Sequence, residues 1–205
     1  MKEFWDKRYA EKEMAYGKEP NVFFKSQLEK LQIGKLLLPA EGEGRNAVYS
    51  ATSGWKVSAF DISEEGKRKA YQLADKSNVS IDYKIIGLDK TVYEKEYFDC
   101  IGLIYAHFPA HLKSEYHKII DTYLKKDGII ILEGFSKKQI DYNTTNPKAG
   151  GPKNIDMLFS VEEIKQDFSN YEIIELSEKE VTLNEGLYHI GKSSVVRFVG
   201  RKKGV

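Results

Sequence analysis

Short apolar runs alternate with segments of helical spacing along most of the chain. Lys35 to Ala40 (KLLLPA) closes on a glycine-rich turn and Lys56 to Asp61 (KVSAFD) closes on an acid, so both read as buried parallel strands. Between them Arg45 to Ser53 carries Ala47, Val48, Tyr49 and Ala51 with no turn pair before Gly54, which predicts a crossover helix ending at that glycine. Ser63 is placed to cap a second helix, with Glu64 and Glu65 in its first turn and Ala70, Tyr71, Leu73 and Ala74 at helical spacing. The pattern continues with strands at Ile81 to Ile86 and Phe98 to Tyr105 (FDCIGLIY). A helix from about Ala110 to Leu124, a Lys-Asp-Gly turn and the strand Ile129 to Leu132 follow. Strand and helix alternate four times, which predicts an α/β layered fold, a mostly parallel sheet with helices on both faces.

The last third changes character. Asp141 to Pro152 (DYNTTNPKAGGP) reads as a loop by composition, and Ser160 to Phe168 as a capped helix with Glu162 and Glu163 near its start. Two β-rich runs follow, Tyr171 to Leu183 and Ser193 to Val199, joined by Asn184 to Lys192. Strands with no helix between them pair antiparallel, so the sheet is expected to finish in a hairpin at its edge.

Composition narrows the reading only modestly. The 205 residues are 41% apolar and 31% charged, enough for a substantial core, with no repeat and no Pro-, Gly- or Ser-rich linker; a single domain over 1–205 is expected. Lys and Arg total 32 against 31 Asp and Glu, a formal charge of +1, which disfavours a dedicated nucleic-acid binder. Cys100 is the only cysteine, which excludes an intrachain disulfide and a cysteine-built zinc site, and its apolar surroundings suggest a buried hydrophobe. Charges at Lys2, Glu3, Asp6, Lys7 and Arg8 are incompatible with a signal-peptide core, and no apolar stretch approaches the roughly 18 residues that span a bilayer. A cytoplasmic protein without membrane contact is expected. Nothing in the sequence sets an oligomeric state.

The segment that carries chemistry is Leu36 to Ala47 (LLLPAEGEGRNA), where a strand runs into Gly42 and Gly44 and then into a helix. Glycines there permit a tight turn and close approach of a ligand to the main chain, and the helix start offers unpaired N–H groups to an anion or carboxylate. Asp61 ends the next strand, nineteen residues after Gly42, where a carboxylate reaches the two hydroxyls of a ribose; its alternative is to cap the helix after Ser63. Asp89 follows the third strand, where its carboxylate is placed to accept from an adenine amino group. His107 and Phe108 lie just past the fourth strand, at the mouth of the same cleft, because ligands of open α/β sheets bind at the carboxyl ends of the strands.

These segments resemble the class I S-adenosylmethionine-dependent methyltransferases, in particular the branch around the tellurite-resistance and thiopurine methyltransferases. The resemblance spans nearly the whole chain and rests on FWDKRYAEKEMAYGKEPN at 4–21, AEGEGRNAVY at 40–49, GWKVSAFDIS at 54–63, FDCIGLIYAHFP at 98–109, DGIIILEGF at 127–135 and LNEGLYHIGKSSVVRFVGRK at 183–202. It implies a Rossmann-like three-layer sandwich with a seven-stranded sheet whose last strand is inserted antiparallel. Residues 1–34 would be a helical lid segment and 35–205 the core. It implies S-adenosylmethionine as cofactor, with Ala40, Glu41, Gly42, Glu43 and Gly44 at the methionine portion and Asp61 at the ribose. Ile62 and Asp89 would meet the adenine, Tyr105 and Ala106 would form the floor beneath the sulfonium, and Trp5, Tyr9 and Tyr16 would fold over as a lid. Where many relatives carry an acid at the end of the first strand and a glycine two residues on, this chain has Leu38 and Ala40, so Glu41 or Glu43 is the candidate partner of the methionine amine.

The implied reaction is methyl transfer to a small molecule, a thiol, an oxyanion or similar, for which holding nucleophile, methyl carbon and sulfur in line supplies much of the catalysis. Candidate substrate-side residues are His107, His111, His189 and Arg197, with His189 placed over the methyl group by the resemblance and Arg197 suited to an anionic acceptor. The position after His189 holds Ile190 where the branch usually has Arg. Two other readings share these features: a nicotinamide-dependent oxidoreductase, for which Ala47 stands in place of the third glycine, and a protein that binds S-adenosylmethionine without chemistry.

Overall fold

The computed structural model describes residues 1–90 and 93–204. Two short helices come first, α1 Lys2–Tyr9 and α2 Val22–Leu28, the second capped by Asn21, whose side chain accepts from the Phe24 N–H. The expected alternation follows: β1 Lys35–Pro39, α3 Arg45–Thr52, β2 Lys56–Asp61, α4 Glu64–Lys76, β3 Asp82–Ile85, β4 Phe98–Ile104 and α5 Lys113–Tyr123. Gly54 ends the α3 connection at φ 93°, and the Ser63 hydroxyl caps α4 by accepting from Gly66 N–H, both as the sequence predicts. The chain closes with β5 Leu124–Phe135, α6 Gln139–Thr145, α7 Val161–Asp167, β6 Tyr171–Glu185 and β7 His189–Lys202.

The seven strands form one sheet in the order β3-β2-β1-β4-β5-β7-β6, parallel from β3 through β5, with β7 antiparallel to both β5 and β6. This is the Rossmann-like sandwich with a closing antiparallel hairpin. Side chains of successive strand residues leave opposite faces, and β1 shows the result. Leu37 joins Ile101, Leu103, Ile130, Leu132, Ile120, Phe159 and Phe198 in one core. Leu36 and Leu38 join Val57, Ala59, Cys100, Ile131, Phe24, Val48 and Ala70 in the other. Cys100 is fully buried as expected, and burial pushes its thiol far above the usual range.

Three expectations are corrected. Asp141 to Pro152 is not a plain loop: α6 covers its first part and a 3-10 turn, Pro147–Ala149, its middle. Apolar periodicity does not hold it. Instead Thr144 Oγ1 donates to Ile140 O at 2.6 Å, the Asn146 side chain caps the 3-10 turn, and buried Gln139 donates to Ala149 O and Gly150 O while accepting from Ser194 N–H. The hairpin strands run far beyond their apolar parts, leaving Gly186 to Tyr188 as the connection; Asn184 pairs with Ile190 and Glu185 with His189. Ladder bonds are made by backbone, so polar residues extend a strand as readily as apolar ones once the register is set. β5 likewise starts at Leu124, and the Lys-Asp-Gly turn lies inside it with Asp127 at φ 61°, beside a register shift between Phe98 and Cys100 on β4.

Gly44 brings the neighbouring helices α3 and α4 into close contact. It sits at the N-cap of α3 with φ 84°, and a β-carbon there would lie 2.5 Å from Ala70 Cβ and 2.9 Å from Ala70 Cα on α4. Gly44→Ala adds left-handed strain to a backbone clash that no side-chain rotation relieves. Urea denaturation is expected to show a loss of about 2–4 kcal/mol; a loss below about 1 kcal/mol would refute the close approach.

Candidate functional site

Strands β1, β2 and β4 end on the same side of the sheet, and β1 and β4 flank the switch point where the strand order reverses. After Pro39 the chain bends through three left-handed residues, Ala40 at φ 52°, Gly42 at 61° and Gly44 at 84°, before α3 begins. Asp61 faces this bend directly. Its Oδ2 accepts from Gly42 N–H at 3.1 Å and its Oδ1 from Ser63 N–H at 2.9 Å, and the Ile62 N–H also interacts with the carboxylate, leaving part of its acceptor capacity unused. Asp61 is therefore both the stitch between two strand ends and a carboxylate at the crevice, rather than a cap alone. Burial pushes its carboxyl above the usual range, and the amides of Ser63, Gly42 and Ile62 pull the other way. Tyr83 donates to Gly42 O at 2.6 Å and fixes the bend from below.

Beyond β2, Ile62 and Asp89 come together around Gly87. A β-carbon at Gly87 would lie 2.5 Å from Asp89 Oδ1 and 3.9 Å from Ile62 Cγ2. Asp89 itself is exposed, on a 3-10 turn at Leu88–Lys90. At the end of β4, Tyr105 (φ 52°) donates through its hydroxyl to Glu133 Oε1 at 3.2 Å, and Ala106 is buried behind it.

The first 21 residues lie across this face. Trp5 stacks on Tyr9 with ring centroids 5.4 Å apart, and buried Tyr9 stands over the bend so closely that a β-carbon on Gly42 would meet its hydroxyl at 2.6 Å. Asp6 accepts from Ser63 Oγ at 2.6 Å and Glu64 N–H at 2.9 Å; with Lys2 and these donors its carboxyl is held at about 2. Ala15 N–H donates to Glu43 Oε2 at 2.7 Å, and Lys69 of α4 bridges Glu43 Oε1 at 2.8 Å and Glu13 O at 2.7 Å. Tyr16 packs on His189 with centroids 4.3 Å apart.

Neither acid proposed for the methionine amine points freely into the crevice. Glu43 is held by Lys69 and Ala15, and Glu41 turns onto α3, accepting from Ala47 N–H at 2.7 Å and Asn46 Nδ2 at 3.4 Å. Full burial outweighs those donors and raises the Glu41 carboxyl to about 7.

The substrate-side candidates separate. His107 Nε2 accepts from Phe135 N–H at 3.1 Å, so its Nδ1 donates to Met157 O at 3.0 Å, and Phe135 and Phe159 stack on the ring. Both nitrogens are engaged and burial lowers its pKa to about 4, so His107 is a neutral structural residue joining β5 to the segment before α7. Arg197 is turned onto Glu133, Nε to Oε2 at 2.6 Å, with its guanidinium 4.7 Å from the Phe23 ring centre. His111 is exposed. His189 has a carboxylate partner: its Nδ1 lies 3.1 Å from Glu185 Oε2, and the rings of Tyr105 and Phe135 lie 4.4 and 5.0 Å away.

Four residues that the sequence reading passed over complete this side. Glu133 and Glu185 are carboxylates under the N-terminal segment, bridged by Asn21, whose Nδ2 lies 2.6 Å from Glu133 Oε1 and 3.3 Å from Glu185 Oε1. Arg45 donates from Nη2 to Glu185 Oε2 at 2.9 Å and from Nη1 to Tyr16 O at 3.0 Å. Burial drives the Glu185 carboxyl up, but His189 and Arg45 outweigh it and hold it at about 2. One signal was available: an acid inside the apolar run IIILEGF needs a buried partner.

No family model matches the chain, and no curated protein sequence does. Solved structures are similar to it. One comes from work on the conversion of a disulfide bond into a thioacetal group during echinomycin biosynthesis, with TM-score 0.79 and 15% identity over 99% of this chain and 92% of that one. Another is TehB from Haemophilus influenzae, TM-score 0.72 and 16% identity, covering 98% of this chain and 67% of that one. A third is an S-adenosylmethionine-dependent methyltransferase from Anabaena variabilis, TM-score 0.67 and 16% identity, covering 98% and 93%. The fold is that of the class I S-adenosylmethionine-dependent methyltransferases, as the resemblance implied.

Glu41 gives a test of the buried bend. A carboxyl whose pKa is about 4.5 unfolded and about 7 folded favours the native state below pH 4.5, and that contribution is lost as pH rises through 7. Glu41→Gln keeps an acceptor for Ala47 N–H without the charge. It is expected to stabilise the protein at pH 8 by up to ~3 kcal/mol and to have little effect at pH 4.5. Equal effects at both pH values, read from denaturant midpoints, would mean that Glu41 is solvated.

Proposed function

We propose that this protein is an enzyme that binds S-adenosylmethionine in the crevice between the 40–44 bend and Asp61 and passes its methyl group to a small-molecule acceptor. The observation that carries the reading is the Gly42 N–H on Asp61 Oδ2, which brings the glycine bend and a buried carboxylate with spare acceptor capacity to one switch point. The residues fit the cofactor. Glycine at 42 leaves the main chain of the bend bare beneath the Tyr9 hydroxyl, which a β-carbon would meet at 2.6 Å, and Asp61 has acceptor capacity left for a ribose hydroxyl.

In this reading Ala40, Glu41, Gly42, Glu43 and Gly44 border the methionine portion, Asp61 takes the ribose, and Ile62 and Asp89 take the adenine. Tyr105 and Ala106 lie beneath the sulfonium. Trp5, Tyr9 and Tyr16 act as a lid over 35–205, excluding water, which strengthens every electrostatic contact inside. Bound there, the cofactor supplies an electrophilic methyl group on a sulfonium. His189 serves the acceptor side; Arg197, engaged by Glu133, helps to shape the wall. A small acceptor agrees with the near-zero net charge, which offers no field for a nucleic acid, and with a structural neighbour named for sulfur chemistry. A cytoplasmic location belongs to the same reading; among the described residues no helix is long and apolar enough to cross a membrane. The antiparallel insertion of β7 weighs against a nicotinamide-dependent oxidoreductase.

Calorimetry with S-adenosylhomocysteine tests this. Binding is expected to weaken at least ten-fold in Asp61→Asn, and saturating ligand should raise the melting temperature by mass action, ~2.7 kcal/mol at a hundred times Kd. Stabilisation by NAD and not by S-adenosylhomocysteine would transfer the crevice to the oxidoreductase reading.

A further inference from the structure

Resting on the methyl-transfer reading, we propose that Glu185 is a positioning residue that orients His189 as a base, and that the acceptor is a neutral thiol rather than an oxyanion. Glu185 and His189 form the last register pair of the β6–β7 hairpin, so a three-residue connection holds carboxylate and imidazole together at the strand ends. An ionised carboxylate only accepts, so the 3.1 Å contact requires the proton on Nδ1 and leaves the lone pair on Nε2. Glu185 cannot swing away: Arg45 holds the same carboxylate at 2.9 Å and Asn21 at 3.3 Å. The Cδ2–Nε2 edge of the ring packs against Gly150, where a β-carbon would lie 2.7 Å from Cδ2 and 3.2 Å from Nε2, so only glycine at 150 lets the imidazole keep this position.

The charges around the imidazole decide the acceptor. Arg45 is paired with Glu185 and Arg197 with Glu133, and these two carboxylates lie directly against His189 and Tyr105, the groups an acceptor would meet in this reading. An oxyanion there meets two carboxylates whose cations are already engaged, which disfavours it. A neutral X–H acceptor meets no such repulsion and needs a base. A thiol, at ~8.5 when free, gives up its proton far more readily than an alcohol, so of the neutral acceptors it is the one a histidine whose pKa is lowered by burial can best serve. The walls of Tyr16, Tyr105 and Phe135 suit sulfur, which packs well against aromatic rings. The S–H bond breaks, its proton goes to Nε2 and its electron pair stays on sulfur. That pair forms the new S–CH3 bond, the pair of the donor's own C–S bond stays with the donor, and Nε2 then returns the proton to water.

The groups facing His189 are Glu185 on β6, Arg45 on α3, Arg8 on α1, Tyr16 after it, and Tyr105 and His107 beyond β4. Burial lowers the imidazole pKa, Arg45 and Arg8 lower it further, and Glu185 opposes them. Removing the Glu185 charge therefore moves His189 to lower pH. Imidazole 15N NMR on the full chain should show the Nδ1–H tautomer in the wild type, and in Glu185→Gln a titration displaced to lower pH. With S-adenosylmethionine, 2-mercaptoethanol and benzenethiol should yield S-adenosylhomocysteine while selenite and tellurite do not. His189→Asn should reduce kcat on thiols 10²–10⁴-fold. Glu185→Gln should reduce it about ten-fold or more and shift the acid limb of its pH profile downward, with partial recovery in Glu185→Asp. Melting curves confirm that each variant is folded; a Glu185→Gln that does not fold passes the test to Glu185→Asp, whose acid limb must then differ from that of the wild type. An unmoved His189 titration overturns the dyad, and turnover of oxyanions but not thiols overturns the acceptor class. Loss of S-adenosylhomocysteine binding by the wild type would instead overturn the methyl-transfer reading and the acceptor class with it, while retained binding without thiol turnover overturns the acceptor class alone.

Discussion

The bond from Gly42 N–H to the Asp61 carboxylate is the constraint on which the crevice depends. β1 and β2 are parallel neighbours in register from Lys35 opposite Lys56 to Pro39 opposite Phe60, so their chain ends leave the sheet side by side. Without a tie the two loops would be independent. Asp61 takes one amide from the glycine bend and one from the start of α4, so a single buried carboxylate sets the positions of α3 and α4 relative to the strand ends. That Gly44 admits Ala70 of α4 without room for a β-carbon is the packing counterpart of the same tie.

Charge pairing does for the other half of the site what Asp61 does for the first. Glu133, Glu185, Arg45 and His189 are buried or nearly so, and a buried ion left alone costs several kcal/mol. They are tolerable only as a set, completed by Asn21 and Arg197. The set draws on α3, β5, the two hairpin strands and the residue that caps α2, so satisfying these ions fixes the geometry of the whole substrate side. Its alternative, an apolar cluster of the same volume, would be no less stable but would present no polar atom to an acceptor.

The fold was legible because its signals are local. Apolar runs, the Ser63 and Ser160 caps and the glycine that ends α3 all act within a few residues, and each element they mark is present. Gly42 and Asp61 were legible because the parallel strand pair turns a sequence spacing into a spatial one. The rest of the site was not. Asn21 meets Glu133 across 112 residues and Arg45 meets Glu185 across 140, and a single sequence carries no mark of such pairings. His107 misled for a related reason: at a strand end it has the look of a site residue, yet the backbone of Phe135 and Met157 takes both its nitrogens. The 139–145 helix was hidden because side chain to backbone bonds, not apolar period, hold it.

The N-terminal segment touches both halves of the site, and Ala15 does so with its own backbone. Ala15 gives its N–H to Glu43 on the glycine bend, and its carbonyl accepts from Leu187 N–H at 2.8 Å in the hairpin connection. The first bond orders the side bounded by Asp61, and the second orders the side that carries His189. Any displacement of this segment therefore loosens both sides together, and any ligand that favours its closed position organises both together, in proportion to its differential affinity for the closed arrangement. The contacts of this segment include polar ones, Asp6 on Ser63 and Lys69 on Glu13, and buried Tyr9 and Ala15, whereas the sheet beneath is held by larger apolar clusters. Opening the segment breaks a handful of hydrogen bonds, each worth about 1 kcal/mol net, and leaves the cores intact. Displacing this segment therefore costs less than unfolding the sheet beneath it.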